Sequence, residues 1–141
     1  MSGLKTLSIL SLLLPALCFG EQKVDVAGYE IHYIIIPTTF LRPDIADQYE
    51  ISRGRDRALV NVSVLDSEGT PVNADVSGES KNLLSQIQTL EFVQVSEPPA
   101  IYYLAELRHA DEELHRVSLQ IILPDGTTAP INFQQKMYWK H

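Results

Sequence analysis

An all-β fold is what this sequence predicts: an immunoglobulin-like antiparallel β-sandwich of about seven strands, with one short helical turn after the first strand. Three observations predict it. Past residue 21 the apolar residues recur mostly at every second position, the period of a half-buried strand. Turn-forming residues interrupt that pattern about every eight to twelve residues, the spacing of an all-β sandwich. The chain also has a single cysteine, Cys18, so a disulfide within it is excluded and packing must hold the domain together.

The chain opens with a segment that is not expected to belong to the fold. Lys5 is followed by the apolar run Leu7 to Leu17, and small residues precede the charged Glu21. That is the layout of a secretory signal peptide over residues 1–20, which places the protein in the periplasm and leaves residues 21–141 as a single sandwich domain. The run is too short to span a bilayer about 30 Å thick as a helix. Pro15-Ala16-Leu17-Cys18 also offers a lipidation site at Cys18, the less favoured outcome because Leu17 is bulky where a small residue is wanted.

In the first strand Tyr29, Ile31, Tyr33 and Ile35 share one parity, whereas Val24 and Val26 lie on the other. A one-residue slip exchanges the faces of a strand, so Gly28 marks either a bulge or the join between two short strands. Leu41 to Tyr49 has Pro43 and Asp44 suited to a first helical turn and apolar residues at helical spacing. Ala58, Val60, Val62 and Val64 form one face of the next strand, which Asp66-Ser67-Glu68-Gly69 ends. Val72, Ala74 and Val76 follow, and Ser77-Gly78-Glu79-Ser80 is read as a second break. Residues 82–95 hold one or two strands, stopped by Pro98-Pro99. Ile101 to Leu107, Val117 to Leu123 and Ile131 to Trp139 read as an antiparallel meander, with Pro124-Asp125-Gly126-Thr127 as its last turn.

The stretches "GYEIHY" and "TTFLRPDIADQYEISRGRDRALVNVSVL", with the tyrosine-rich C-terminal strands, resemble DUF4426, a Gram-negative secreted family of unknown function. The resemblance spans nearly all of residues 24–139. It implies a periplasmic, immunoglobulin-like domain and supplies no catalytic residues to carry over.

Chemistry-bearing residues are few. Arg53, Arg55 and Arg57 stand at every second position. On an extended chain they would lie about 6.6 Å apart, opposite the valines, and could fork a carboxylate or phosphate. Burying each valine contributes roughly 1.5–3 kcal/mol, so the arginines must face outward or pair with acids, for which Asp44, Asp47 and Glu50 lie nearest in sequence. The four histidines lack the spacing of a zinc site. The nearest approach to one is His109 and His115 flanking a turn that carries Asp111, Glu112 and Glu113, and a plain acidic turn is the expected reading. His32 reads as a hydrogen-bonded strand residue, the tyrosines as core and cross-strand pairs, and the Asn61-Val62-Ser63 sequon as coincidental. No metal or cofactor is expected.

The net charge of −7 argues against nucleic acid, which wants a basic stripe, and against anionic lipid surfaces. Neither a Gly-x-Ser-x-Gly elbow nor a glycine-rich phosphate loop occurs. The expected function is therefore non-enzymatic: an accessory or binding domain acting through protein–protein contact with a periplasmic partner. The alternatives are a carrier of small anionic ligands using the three arginines and a hydrolase with unrecognised carboxylates.

Overall fold

The computed structural model describes residues 21–139. The segment expected to be a secretory leader, residues 1–20 with Cys18, lies outside the described residues. Nine strands follow in order: β1 (Gln22–Val26), β2 (Tyr29–Pro37), β3 (Arg57–Leu65), β4 (Asp75–Asn82), β5 (Ile87–Leu90), β6 (Val93–Glu97), β7 (Ala100–Arg108), β8 (Glu113–Ile122) and β9 (Thr128–Met137). A 3₁₀ turn (Thr38–Phe40) and one short helix, α1 (Pro43–Gln48), join β2 to β3. Two antiparallel sheets result, ordered β1-β2-β3-β7-β6 and β5-β4-β8-β9. No helix among the described residues is long and apolar enough to cross a membrane.

The valine face of β3 is sealed: Ala58, Val60, Val62 and Val64 are all buried. Antiparallel register sets Val64 opposite Ile31, Val62 opposite Tyr33 and Val60 opposite Ile35 on β2. On its other side Val60 meets Ala105 and Ala58 meets Leu107 on β7. The second sheet answers with Val117, Leu119 and Ile121, opposite Phe133, Ile131 and Ala129. These inward rows form one hydrophobic core between the sheets. Tyr33 and Phe133 meet across it with ring centroids 4.8 Å apart. Leu59, of the opposite parity, is buried as well, because the arm from the 3₁₀ turn to Ile51 lies over the outer face of the first sheet.

Strand number exceeds the expected seven, partly because Gly28 is a join and not a bulge. Ala27 and Gly28, both at positive φ (52° and 86°), make a two-residue hairpin turn that sets Val24 opposite Ile31 and Val26 opposite Tyr29. The valines of β1 thus reach the same face as the isoleucines of β2 despite their different parity in sequence.

Two further expectations are corrected. Ser77-Gly78-Glu79-Ser80 does not break the chain; it lies inside β4. A Cβ on Gly78 would stand 2.6 Å from Ser118 O and 2.7 Å from Leu119 Cδ2, so glycine here permits close strand approach and not a turn. The C-terminal third is not one meander: β8 and β9 form a hairpin, but β7 belongs to the other sheet. His109 to Glu112 therefore arch between the sheets. Inward rows on both β7 and β8 can then face one core, which a flat meander could not achieve.

Candidate functional site

β6 accompanies β7 only as far as the pair Val93–Leu104, while β7 runs on to Arg108. The last residues of β7 therefore have no strand on their outer side. Gln88 of β5, from the opposite sheet, fills part of that gap with its side chain. Its Nε2 donates to Arg108 O at 2.7 Å, and its Oε1 accepts from Arg108 N at 2.9 Å. One primary amide thus satisfies both backbone groups of an open strand edge, the kind of edge that otherwise templates pairing.

Between β5, this edge of β7 and the inter-sheet arch lies a cleft of about 900 Å³. Its charge is mixed. Asp56, Glu91, Glu106 and Glu113 line it against Arg57 and Arg108. Asn82, His109, His115 and Trp139 complete the polar part, and Ile87 and Val93 form an apolar rim.

A buried hydrogen-bond chain supports one wall. Ser80, Asn82 and His115 face inward at the end of the second sheet, where Asn82 stands opposite His115 and Ser80 opposite Val117. His115 Nε2 lies 2.6 Å from Glu113 Oε1, and its Nδ1 lies 2.7 Å from Ser80 Oγ. Burial pushes the Glu113 carboxyl up. Hydrogen bonds from the Ala110 N–H, His115 and Asn82 outweigh that and hold it below its ordinary range. Glu113 is therefore a carboxylate at neutral pH and accepts the Nε2 proton. In the neutral ring this leaves Nδ1 to accept from the Ser80 hydroxyl. The three residue types are those of a hydrolytic triad, but Ser80 is only 1 % exposed and does not line the cleft. A nucleophile must reach its substrate. In this conformation the chain Ser80–His115–Glu113 instead holds the cleft wall rigid.

Asn82 joins that wall to the hairpin tip. Its Nδ2 donates to Glu113 Oε2 at 3.2 Å and to Gln86 Oε1 at 2.7 Å. Its Oδ1 accepts from the N–H groups of Leu84 and Gln86 at 3.0 and 2.9 Å. A side chain bonded to the backbone ahead of it closes a tight turn, and here the turn is apolar. Leu83 and Leu84 are 65 % and 79 % exposed, and Ile87 and Val93 beside the cleft are 57 % and 56 % exposed. The one or two strands expected within residues 82–95 are β5 and the start of β6, but the apolar tip ahead of them was not foreseen. The signal was present: Asn82 and Ser85 favour a turn, and two leucines stand between them.

The three arginines do not converge. Only Arg57 belongs to β3; Arg53 and Arg55 precede it in loop and turn, so strand spacing does not apply to them. Arg53 Nη2 donates to Thr39 O at 3.0 Å. Arg55 lies over the Trp139 ring, 4.3 Å from its centroid. Arg57 approaches Asp56 and Glu106, each at 3.9 Å. The expected acidic partners are not used: Asp44 takes Arg42 at 2.7 Å. The loop is held by buried Thr38, whose Oγ1 lies 3.0 Å from both Gly54 O and Arg57 O and accepts from Gly54 N at 3.0 Å. The three guanidiniums line three separate hollows.

The three described histidines are likewise engaged, His141 lying outside the described residues. His32 lies 3.0 Å from both Glu21 Oε1 and Glu30 Oε1. His109 Nδ1 donates to Ala110 O at 3.0 Å, and the Trp139 indole N–H donates to His109 O at 3.2 Å. Among the described residues, no three of His, Cys, Asp and Glu stand together as a metal-ligand set.

The family model DUF4426, "Domain of unknown function", matches residues 23–140. Among solved structures the chain is similar to a DUF4426 family protein from Pseudomonas aeruginosa, at 27 % identity and a TM-score of 0.79, covering 86 % of this chain and 98 % of that one. It is also similar to a copper-bound variant of FetP from uropathogenic Escherichia coli, at 11 % identity and a TM-score of 0.61, covering 86 % and 97 %. FetP recombinantly expressed in the E. coli periplasm matches at 10 % identity and a TM-score of 0.54, covering 86 % and 94 %. At such identities the likeness to FetP is one of fold. No curated protein matches the chain by sequence.

Proposed function

The chain belongs to the DUF4426 family, a domain of unknown function, and from that premise we propose that it is a periplasmic accessory domain that acts by binding another protein. The observation that carries this reading is the apolar hairpin tip, Leu83 and Leu84, continuous with Ile87 and adjoining the large polar cleft. Water-facing turns normally carry polar residues, and a cluster of exposed apolar side chains rimmed by charge marks a contact surface. The location rests on the leader-like pattern of residues 1–20.

The arginine-based carrier is less favoured, since Arg53, Arg55 and Arg57 point into different hollows. Copper in the FetP variant does not transfer at 11 % identity. The test is photo-crosslinking in intact cells, with a photoreactive residue replacing Leu84 or, as control, Ile122 at the far end of β8. Discrete heavier adducts at position 84 and none at 122 are expected. The same ladder at both positions, or no adduct at either, would overturn the reading.

A further inference from the structure

Arg55 lines a hollow of about 170 Å³ at one end of the inter-sheet core. Its floor is made of core side chains: Ile35 of β2, Ala58 of β3 and Met137 of β9 are buried and belong to the central cluster. His109, two residues past Leu107 on the inward row of β7, closes one wall and is buried too. The mouth is cationic. Exposed Arg55 and Lys136 line it, and no Asp or Glu does. That lining runs against the chain as a whole, which has 18 acids to 11 bases. The hollow shares only His109 with the large cleft, so it is a separate site. Arg55 is also held ready. Its guanidinium lies 4.3 Å from the Trp139 ring centroid, a stacking that fixes its plane and leaves its N–H edge free. Trp139 is itself pinned, with its backbone N–H on Asp111 Oδ1 at 2.8 Å and its indole N–H on His109 O at 3.2 Å. The nearby acids are spent elsewhere, Asp44 on Arg42, and Asp56 and Glu106 on Arg57. Among the described residues no carboxylate pairs with Arg55.

We propose that this hollow is a binding site for a small monocarboxylate with a compact apolar body, of the size of benzoate, with the carboxylate on Arg55 and the apolar end on the floor. Charge is the first argument. A guanidinium without an acidic partner presents two parallel N–H donors that match a carboxylate. Lining is the second. A floor of Ile35, Ala58 and Met137 welcomes an apolar body and disfavours a second charge at that end. Size is the third. An apolar protein cavity of about 150 Å³ holds a benzene ring, so the volume here suits one small ring and little more. The site needs one guanidinium only, so the separation of Arg53, Arg55 and Arg57 into different hollows does not bear on it.

The test titrates the purified protein with three probes and follows the backbone amides by NMR. Benzoate is the ligand, benzamide keeps its shape without the charge, and acetate keeps the charge without the ring. Expected are saturable shifts with benzoate at Thr39, Ala58, His109 and Met137, which line the hollow. Benzoate should bind at least about tenfold more tightly than either control. Arg55→Gln should bring benzoate down to the level of benzamide. Arg53→Gln, whose guanidinium lines a different hollow, should leave benzoate binding unchanged. Three results would overturn the proposal: no saturable shift with millimolar benzoate, equal affinity for benzoate and either control, or benzoate binding untouched by Arg55→Gln. The two controls act on the unaltered protein, so the test stays decisive even if Arg55→Gln loosens the C-terminal segment.

Discussion

Gly78 and Glu113 show how single atoms set this structure. The missing Cβ of Gly78 lets β4 lie against Ser118 O of β8, a backbone atom that cannot rotate away. Gly78→Ala should cost about 2 kcal/mol by overpacking, despite the favourable effect of alanine on the unfolded chain; a urea midpoint unchanged from the parent would contradict this. Glu113 makes a pH prediction. Its folded pKa lies below its ordinary value, so its contribution to stability is present above the unfolded carboxylate pKa of about 4.3 and is lost as pH falls through the folded value. Glu113→Gln should therefore be less stable than the parent near neutrality, and the gap should close as pH drops from about 5 towards 3. Parallel stability curves for the two proteins would count against it.

At the scale of elements, turns and edges decide more than strand interiors do. Ala27 occupies left-handed space at φ 52°, where a Cβ is strained, and Gly28 follows at φ 86°. Ala27→Asn would create the Asn-Gly pair that such hairpin turns prefer and should stabilise the protein by about 1 kcal/mol. Calorimetry should register a higher Tm, and a lower one would refute the turn assignment. Gln88 guards the open end of β7 through two side-chain bonds to Arg108. Gln88→Leu should remove both, cost about 1–2 kcal/mol, and make the Arg108 amide exchange faster than its neighbours with the fold intact. Unchanged exchange at Arg108 would show that the amide guards nothing.

The whole molecule places its two proposed sites differently. The large cleft and the Leu83–Leu84 tip lie on the side where β5 and β6 finish their sheets, whereas the small hollow opens at one end of the core, between β2, β3 and β9. Arg55 against Trp139 and Asp111 Oδ1 accepting from Trp139 N at 2.8 Å fasten the C-terminal segment beside the inter-sheet arch. An apolar core between two sheets, in a chain with a single cysteine, leaves the proposed contact surface to a sheet edge.

Much of this was legible in the linear chain. Alternation fixes which side of a strand is sealed, so β3 and the inward rows of β2, β7, β8 and β9 could be read off directly, as could the helical turn begun by Pro43. Burial of each such side chain is a local consequence of period two. What local pattern cannot encode is which sheet a strand joins and what stands opposite a polar residue. That Gly78 is an approach point, that β7 and β8 part into different sheets, that three arginines look in three directions, and that Ser80, His115 and Glu113 form one chain were all settled by tertiary contact. Each depends on groups distant in sequence meeting at a few ångströms, and only the packed arrangement of the two sheets specifies those distances.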